Sequence, residues 1–214
     1  MTKKVKIGNV VIGGGEKIAV QSMSTHKIKD IEAAVYDSER LKKAGCDILR
    51  FSVLDDMDAR AIKELKKRVD IPIVADIHYD YRLAISAIES GADKIRINPG
   101  NIGAEENVIK VAAALKEYGT PVRVGSNTGS IEKEYLNKYG KSEIALAESA
   151  LKNVRILEKY GVDKIHYGVF TYVVEYLIYH TVRLVAYPAV DILKRRVGKG
   201  CLVRRRVIIV GVGL

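Results

Sequence analysis

The sequence is short of the residues that mark secreted and membrane proteins. Two cysteines, Cys46 and Cys201, in 214 residues make neither a disulfide framework nor a metal site. A reducing, cytoplasmic setting is the expectation that follows. The chain opens MTKKVKIGNVVIGGG, with no apolar segment ahead of a cleavage site, so no secretory leader is expected. No run of about twenty apolar residues is free of charge. The best stretch, 165–187, carries His166, Glu175, His180 and Arg183, which argues against a membrane helix. No GxGxxG follows the first strand either, which argues against a dinucleotide-binding fold.

What is abundant is positive charge and apolar surface. The net charge is +10, and 48% of the residues are apolar, ample for one core. Residues 166–214 hold eight Lys/Arg against Glu175 and Asp191, a net of +6, which leaves +4 for everything before them. A mildly basic body attracts an anionic small molecule as readily as a polynucleotide. The basic run Lys194–Arg206 has no interleaved aromatic platform, so nucleic-acid binding is disfavoured.

A glycine recurs after an amphipathic stretch and before an apolar one: KKAGCDILRF at Gly45, IESGADKIRI at Gly91, KEYGTPVRV at Gly119 and EKYGVDKIHY at Gly161. Glycine just past a helix is the expected left-handed cap. Repeated helix–glycine–strand units mean alternating α and β elements and a parallel sheet. The pattern predicts a short N-terminal hairpin over Lys4–Ile12, then strands over Ile18–Ser22, Ile48–Val53, Pro72–Ile77, Lys94–Asn98, Pro121–Gly125 and from Lys164. Helices are expected over Asp30–Lys43, Asp56–Arg68, Tyr81–Ser90, Glu105–Tyr118, Ile131–Tyr139 and Ser142–Tyr160, with Asn98–Gly103 and Ser126–Ser130 as polar loops. Evenly spaced βα units suggest a TIM-type βα barrel, incomplete or atypical after the sixth strand, because such barrels typically need about 250 residues. Two further strands, Val182–Tyr187 and Val207–Val210, would fit only loosely.

In a βα barrel, chemistry gathers at the carboxyl ends of the strands. Those ends offer Gln21, Arg50, the pair Asp76 and His78, the pair Arg96 and Asn98, and Arg123 with Asn127. Strand alternation puts Arg96 and Asn98 on one face, opposite Ile95 and Ile97. Taken singly, each residue has a plainer reading. Arg50 could be an ion-pair partner of Asp76, His78 a hydrogen-bonded core histidine, Asn98 and Asn127 turn residues, and Cys46 a small core residue. Jointly, three arginines from three strands in one mouth need anionic charge, and guanidinium forks suit phosphate oxygens. The residues themselves point to a small ligand with two or more phosphate charges.

The segments VKIGNVVIGGG, IAVQSM, AGCDILRF, VADIHYDYRLA, DKIRINPGNIG and VRVGSNTGSIEKEYLNKYG, in that order, resemble the N-terminal barrel of the 4-hydroxy-3-methylbut-2-enyl diphosphate synthase family. The resemblance covers Val5 to Ile165, roughly three quarters of the chain. It implies an oxidoreductase of non-mevalonate isoprenoid (terpenoid) biosynthesis that reductively opens 2-C-methyl-D-erythritol 2,4-cyclodiphosphate, with two electrons from ferredoxin or flavodoxin. It further implies a homodimer, and a [4Fe-4S] cluster held by a C-terminal domain. Within the barrel it implies that Arg50, Arg96 and Arg123 hold the diphosphate, while Asp76, His78, Asn98 and Asn127 line the pocket; it assigns no catalytic residue.

The chain also departs from that family. The expected Ser-x-Lys-(Ala/Gly)-Ser-Asp segment and the Pro-Leu-His-x-Gly-x-Thr-Glu-Ala-Gly strand are missing, and no lysine occurs between Lys164 and Lys194. Two cysteines fall short of about four cluster ligands. The expected organisation is therefore a barrel core over 1–165 and a divergent basic, valine-rich tail over 166–214, of the kind a frameshift would produce, without the iron–sulfur domain. The functional expectation is a truncated substrate-binding barrel, inactive alone. A stand-alone phosphate-ligand-binding barrel without redox activity is the alternative.

Overall fold

The structure is a computed structural model and describes residues 3–126, 129, 131–169 and 210–211. A two-stranded antiparallel hairpin, β1 (Val5–Ile7) and β2 (Val10–Ile12), opens the chain. The parallel strands are β3 (Gln21–Met23), β4 (Ile48–Val53), β5 (Ile73–Ile77), β6 (Lys94–Ile97), β7 (Val122–Ser126), β8 (Ile165–Val169) and β9 (Val210–Gly211). Between them run α1 (Ile31–Lys43), α2 (Asp56–Arg68), α3 (Tyr81–Glu89), α4 (Pro99–Ile102), α5 (Glu105–Tyr118), α6 (Lys133–Tyr139) and α7 (Glu143–Lys159). The sheet order is β8-β7-β6-β5-β4-β3-β9, so the last strand returns to the free side of the first, as a barrel requires. The strand expected over Val182–Tyr187 lies outside the described residues, and β8 begins at Ile165 and runs to Val169.

The glycine punctuation has one local cause. At each of the four sites the residue after the glycine donates its N–H to the carbonyl five residues back: Cys46 to Leu41 and Ala92 to Ala87 at 3.0 Å, Thr120 to Leu115 at 3.1 Å and Val162 to Leu157 at 3.0 Å. That closing bond requires a left-handed residue at the helix end, and Gly91 supplies it with φ +90°. Four of the described helix starts, those of α1, α2, α3 and α7, are capped by a side chain. Asp55 accepts from the Asp58 N–H at 2.9 Å and Asp80 from the Arg82 N–H at 2.9 Å, while Ser142 caps α7 through the Ala145 N–H at 3.3 Å.

Strand alternation then sorts the side chains. Leu49, Phe51 and Val53, Ile73, Ala75 and Ile77, Ile95 and Ile97, and Val122 and Val124 face the helices and are sealed in the main core. They meet helix residues spaced three and four apart, such as Ala59, Ile62 and Leu65 of α2 and Val108, Val111, Ala112 and Leu115 of α5. The opposite strand face begins with Ile48 and Val74, which pack against Val5 and Ile7 of the hairpin. The hairpin thus plugs the end where the strands start.

One expected loop is a helix. Residues 99–102 form the single turn α4, with the Asn101 and Ile102 N–H groups both donating to the Asn98 carbonyl, at 3.1 and 3.3 Å. Proline at the first position costs such a turn no hydrogen bond, since its N–H would be unpaired there anyway.

Candidate functional site

The inner face of the sheet turns polar immediately above the hairpin plug. Met23, Arg50, Val74 and Lys94 lie in one register row, and Ser52, Asp76, Arg96, Arg123 and His166 in the next. The Lys94 Nζ donates to the Gln21 Oε1 at 3.3 Å although β6 and β3 are three strands apart in the sheet. In a flat sheet that separation would be about 14 Å, beyond a lysine's reach, so the sheet must curl to bring them together.

Asp76 organises the row. Its side chain accepts from the Arg96 Nη1 at 2.6 Å and stands 3.4 Å from the Arg50 Nε and 4.0 Å from the His78 Nε2. The plain reading of Arg50 as a partner of Asp76 therefore holds, but Asp76 is shared, with Arg96 as its closer partner. Arg50 donates its Nη2 to the Met23 Sδ at 3.0 Å and has no hydrogen-bond acceptor for its Nε. Asn98 is buried, its Oδ1 has no hydrogen-bond partner, and it does not cap α4, so its amide remains available to a ligand on the arginine face. Gly125 gives Arg96 room, since a Cβ there would lie 3.0 Å from the Arg96 Nε. The structure thus brings Arg50, His78 and Arg96 around Asp76, sets Arg123 beside Arg96 in the register, and leaves Asn98 at the end of the same strand as Arg96. Asn127 lies outside the described residues.

The electrostatics of the row are those of crowded cations. Burial pushes the Arg123 guanidinium down to about 10, with Arg96 and Arg50 adding to the push and Asp76 opposing it. Burial likewise lowers Arg50, with Asp76 holding it up and Arg96 pressing it down. Lys94 is pushed down to about 7 by burial, then by Arg123 and Arg50. His166 is pushed down to about 3 by burial, Arg123 and Lys94. An anion entering this mouth would relieve repulsion and satisfy unused donors together.

Two members of this set were missed in the sequence. Lys94 shares the Arg96 face by period two, but a lysine at the start of a strand usually reads as solvated. His166 stands beside Arg123 in the register, just past the end of the resemblance. Among the described residues, no group of three or more His, Cys, Asp or Glu is placed to hold a metal ion. Cys46 is buried at the foot of β4, donating to the Ile48 carbonyl at 3.0 Å, and burial raises its thiol. The described residues therefore do not fit an iron–sulfur cluster. No helix among them is long and apolar enough to cross a membrane.

The chain is similar to 4-hydroxy-3-methylbut-2-en-1-yl diphosphate synthase (flavodoxin) of Caldanaerobacter subterraneus subsp. tengcongensis, 58% identical over 162 residues, which is 75% of this chain and 46% of that protein. The synthase of the same name from Caldicellulosiruptor saccharolyticus is 54% identical over 166 residues, 77% of this chain and 48% of that protein. The chain thus spans about half the length of the curated relatives it matches. Among solved structures it resembles a truncated form of 3-deoxy-D-arabino-heptulosonate 7-phosphate synthase from Thermotoga maritima, with a TM-score of 0.54 at 17% identity over 79% of this chain and 58% of the other. Dihydropteroate synthase from Xanthomonas albilineans is similar at a TM-score of 0.55 and 16% identity, over 78% of this chain and 64% of the other. These two likenesses concern the fold alone. The family model described as GcpE TIM-barrel domain matches residues 2–187, and the chain belongs to that family.

Proposed function

We propose that this barrel is the substrate-binding part of a 4-hydroxy-3-methylbut-2-en-1-yl diphosphate synthase of isoprenoid biosynthesis. In this reading it holds the diphosphate of 2-C-methyl-D-erythritol 2,4-cyclodiphosphate between Arg50, Arg96 and Arg123, with His78, Asn98 and Asn127 lining the pocket. The observation that carries it is the crowding of buried Arg123 and Lys94 and half-buried Arg50 and Arg96 near Asp76, the carboxylate that faces them among the described residues. A cluster of this sign is costly to bury, and a ligand bearing two phosphate charges would compensate it.

The two electrons of the reductive step would come through a [4Fe-4S] cluster whose ligands exceed the two cysteines of this sequence. Flavodoxin as donor and a homodimeric assembly belong to the same proposal for the whole protein. In this reading the substrate-binding core is residues 1–165, with β8 and β9 extending the same sheet, and this chain by itself is assigned binding without turnover.

Calorimetric titration of the full chain with the cyclodiphosphate tests the reading. Micromolar or weaker binding is expected, and Arg96→Met or Arg123→Met should each weaken it by about 10- to 100-fold, the scale of one charge-assisted hydrogen bond. Absence of binding, or variants that bind as tightly as the parent chain, would overturn it. Inorganic phosphate binding as tightly as the cyclodiphosphate would instead favour a general phosphate-binding barrel.

A further inference from the structure

The arginines stand over a floor that the proposed function does not use. Lys94 is 2% exposed, and its hydrogen-bond partner is a neutral amide, the Gln21 Oε1 on β3. Among the described residues, the charged and titratable groups facing it are Arg123 from β7, Arg50 from β4 and His166 from β8, with Arg96 of its own strand and Asp76 of β5 two residues further along. Asp76 is engaged by Arg96 and Arg50. Val74, the register neighbour of Lys94 on β5, belongs to the apolar plug with Val5 and Ile7, so among the described residues that side is apolar.

A guanidinium keeps its proton at any ordinary pH, so repulsion inside this group cannot be relieved at the arginines. His166, with its Nδ1 buried and without a hydrogen-bond partner, is already neutral. The amine of Lys94 is the member able to change charge near neutrality. Burial does most to keep it neutral and the repulsion of Arg123 and Arg50 adds to it; phosphate charges arriving among the arginines would replace that repulsion by attraction.

We propose that Lys94 is a proton-uptake group of this site: a ligand with two or more phosphate charges draws a proton from solvent onto the Lys94 amine as it enters, and gains a fourth cation beneath it. The proposal rests on the anion-binding reading above and deepens it. In the free protein Lys94 titrates near 7. At a pH of about 8 such an amine is roughly nine-tenths neutral, so uptake approaches one proton per site.

The test is calorimetric titration of the full chain with inorganic diphosphate in HEPES and in Tris at that pH, repeated with Lys94→Met. The dependence of the observed heat on buffer ionisation enthalpy counts the protons exchanged, and the ligand's own proton release cancels between chain and variant. The expected difference is close to one proton, with affinity reduced in the variant. A difference near zero while both bind would overturn the role of Lys94 and leave the anion site standing. No binding by the unmodified chain would remove the anion-site reading and this inference with it. Lysine 13Cε chemical shifts of the unmodified chain give a second measure that needs no variant. One lysine titrating near neutrality, and moving to the ammonium position with diphosphate, is the expected result; no such lysine would refute it.

Discussion

Replacing Asp76 by asparagine separates the two things that residue does. Asp76 is 1% exposed and accepts from Arg96 at 2.6 Å while facing Arg50 at 3.4 Å. Removing one partner of a buried ion pair typically costs about 3–5 kcal/mol, because the remaining charge is left uncompensated. Asparagine keeps a carbonyl for the Arg96 donor, so Asp76→Asn should sit at the lower end, about 3 kcal/mol. With a urea slope of about 2 kcal/mol per molar, the unfolding midpoint should fall by roughly 1.5 M. The same carboxylate also repels an incoming diphosphate and competes with it for both arginines. Its removal should therefore let saturating diphosphate restore more stability to the variant than it adds to the parent chain. A tenfold gain in affinity would add about 1.4 kcal/mol to the ligand-dependent stabilisation. Urea unfolding followed by circular dichroism, with and without diphosphate, reads both effects. An unchanged midpoint without ligand, or a smaller ligand-induced shift in the variant, would refute the account of Asp76 as a counter-charge shared with the substrate.

Other consequences are as direct. Lys94 is lowered from 10.5 to about 7 in the folded chain, so the unfolded state binds the extra proton and stability rises with pH across that window. Lys94→Met should be favoured over the parent at pH 7 and lose roughly 3 kcal/mol of that advantage by pH 9.5, read from paired urea melts; a pH-independent difference would contradict it. Gly125→Ala places a Cβ 3.0 Å from the Arg96 Nε, the end of a flexible side chain. It should shift stability by less than about 1 kcal/mol while weakening diphosphate binding about tenfold, and calorimetry beside a thermal melt distinguishes the two. Gly91→Ala puts a side chain at φ +90° far from the site, and should cost about 1–2 kcal/mol in urea unfolding with diphosphate affinity unchanged.

The sequence revealed most where one residue type serves one geometry. Four glycines marked four helix ends because the closing hydrogen bond needs a left-handed residue, and no other residue takes that conformation without strain. Arg96 and Asn98 could be assigned to one face because alternation leaves a strand no other choice. The α4 turn escaped because four residues are too few for any helical period, so Pro99-Gly100 reads as a plain stop. Lys94 escaped for a different reason. Nothing in a sequence separates a strand-start lysine that reaches solvent from one that reaches across a barrel; the difference lies in the curl that brings β3 opposite β6.

That curl also explains why the arginines are effective where they stand. Beneath them lies the dry plug of Val5, Ile7, Ile48 and Val74, so water cannot screen the cations from below. Between the plug and the row of Arg96 and Arg123, Gln21 and Lys94 carry polar atoms and neither is a carboxylate. A carboxylate at that level would have secured Lys94 and lowered the cost of the fold, but it would also have cancelled part of the field at the mouth. The crowding of positive charge that makes the free barrel costly and the attraction that would draw a diphosphate into it reside in the same side chains. A variant that relieves the first should weaken the second, and Lys94→Met, expected to be more stable at neutral pH and a poorer binder, is where that trade can be measured.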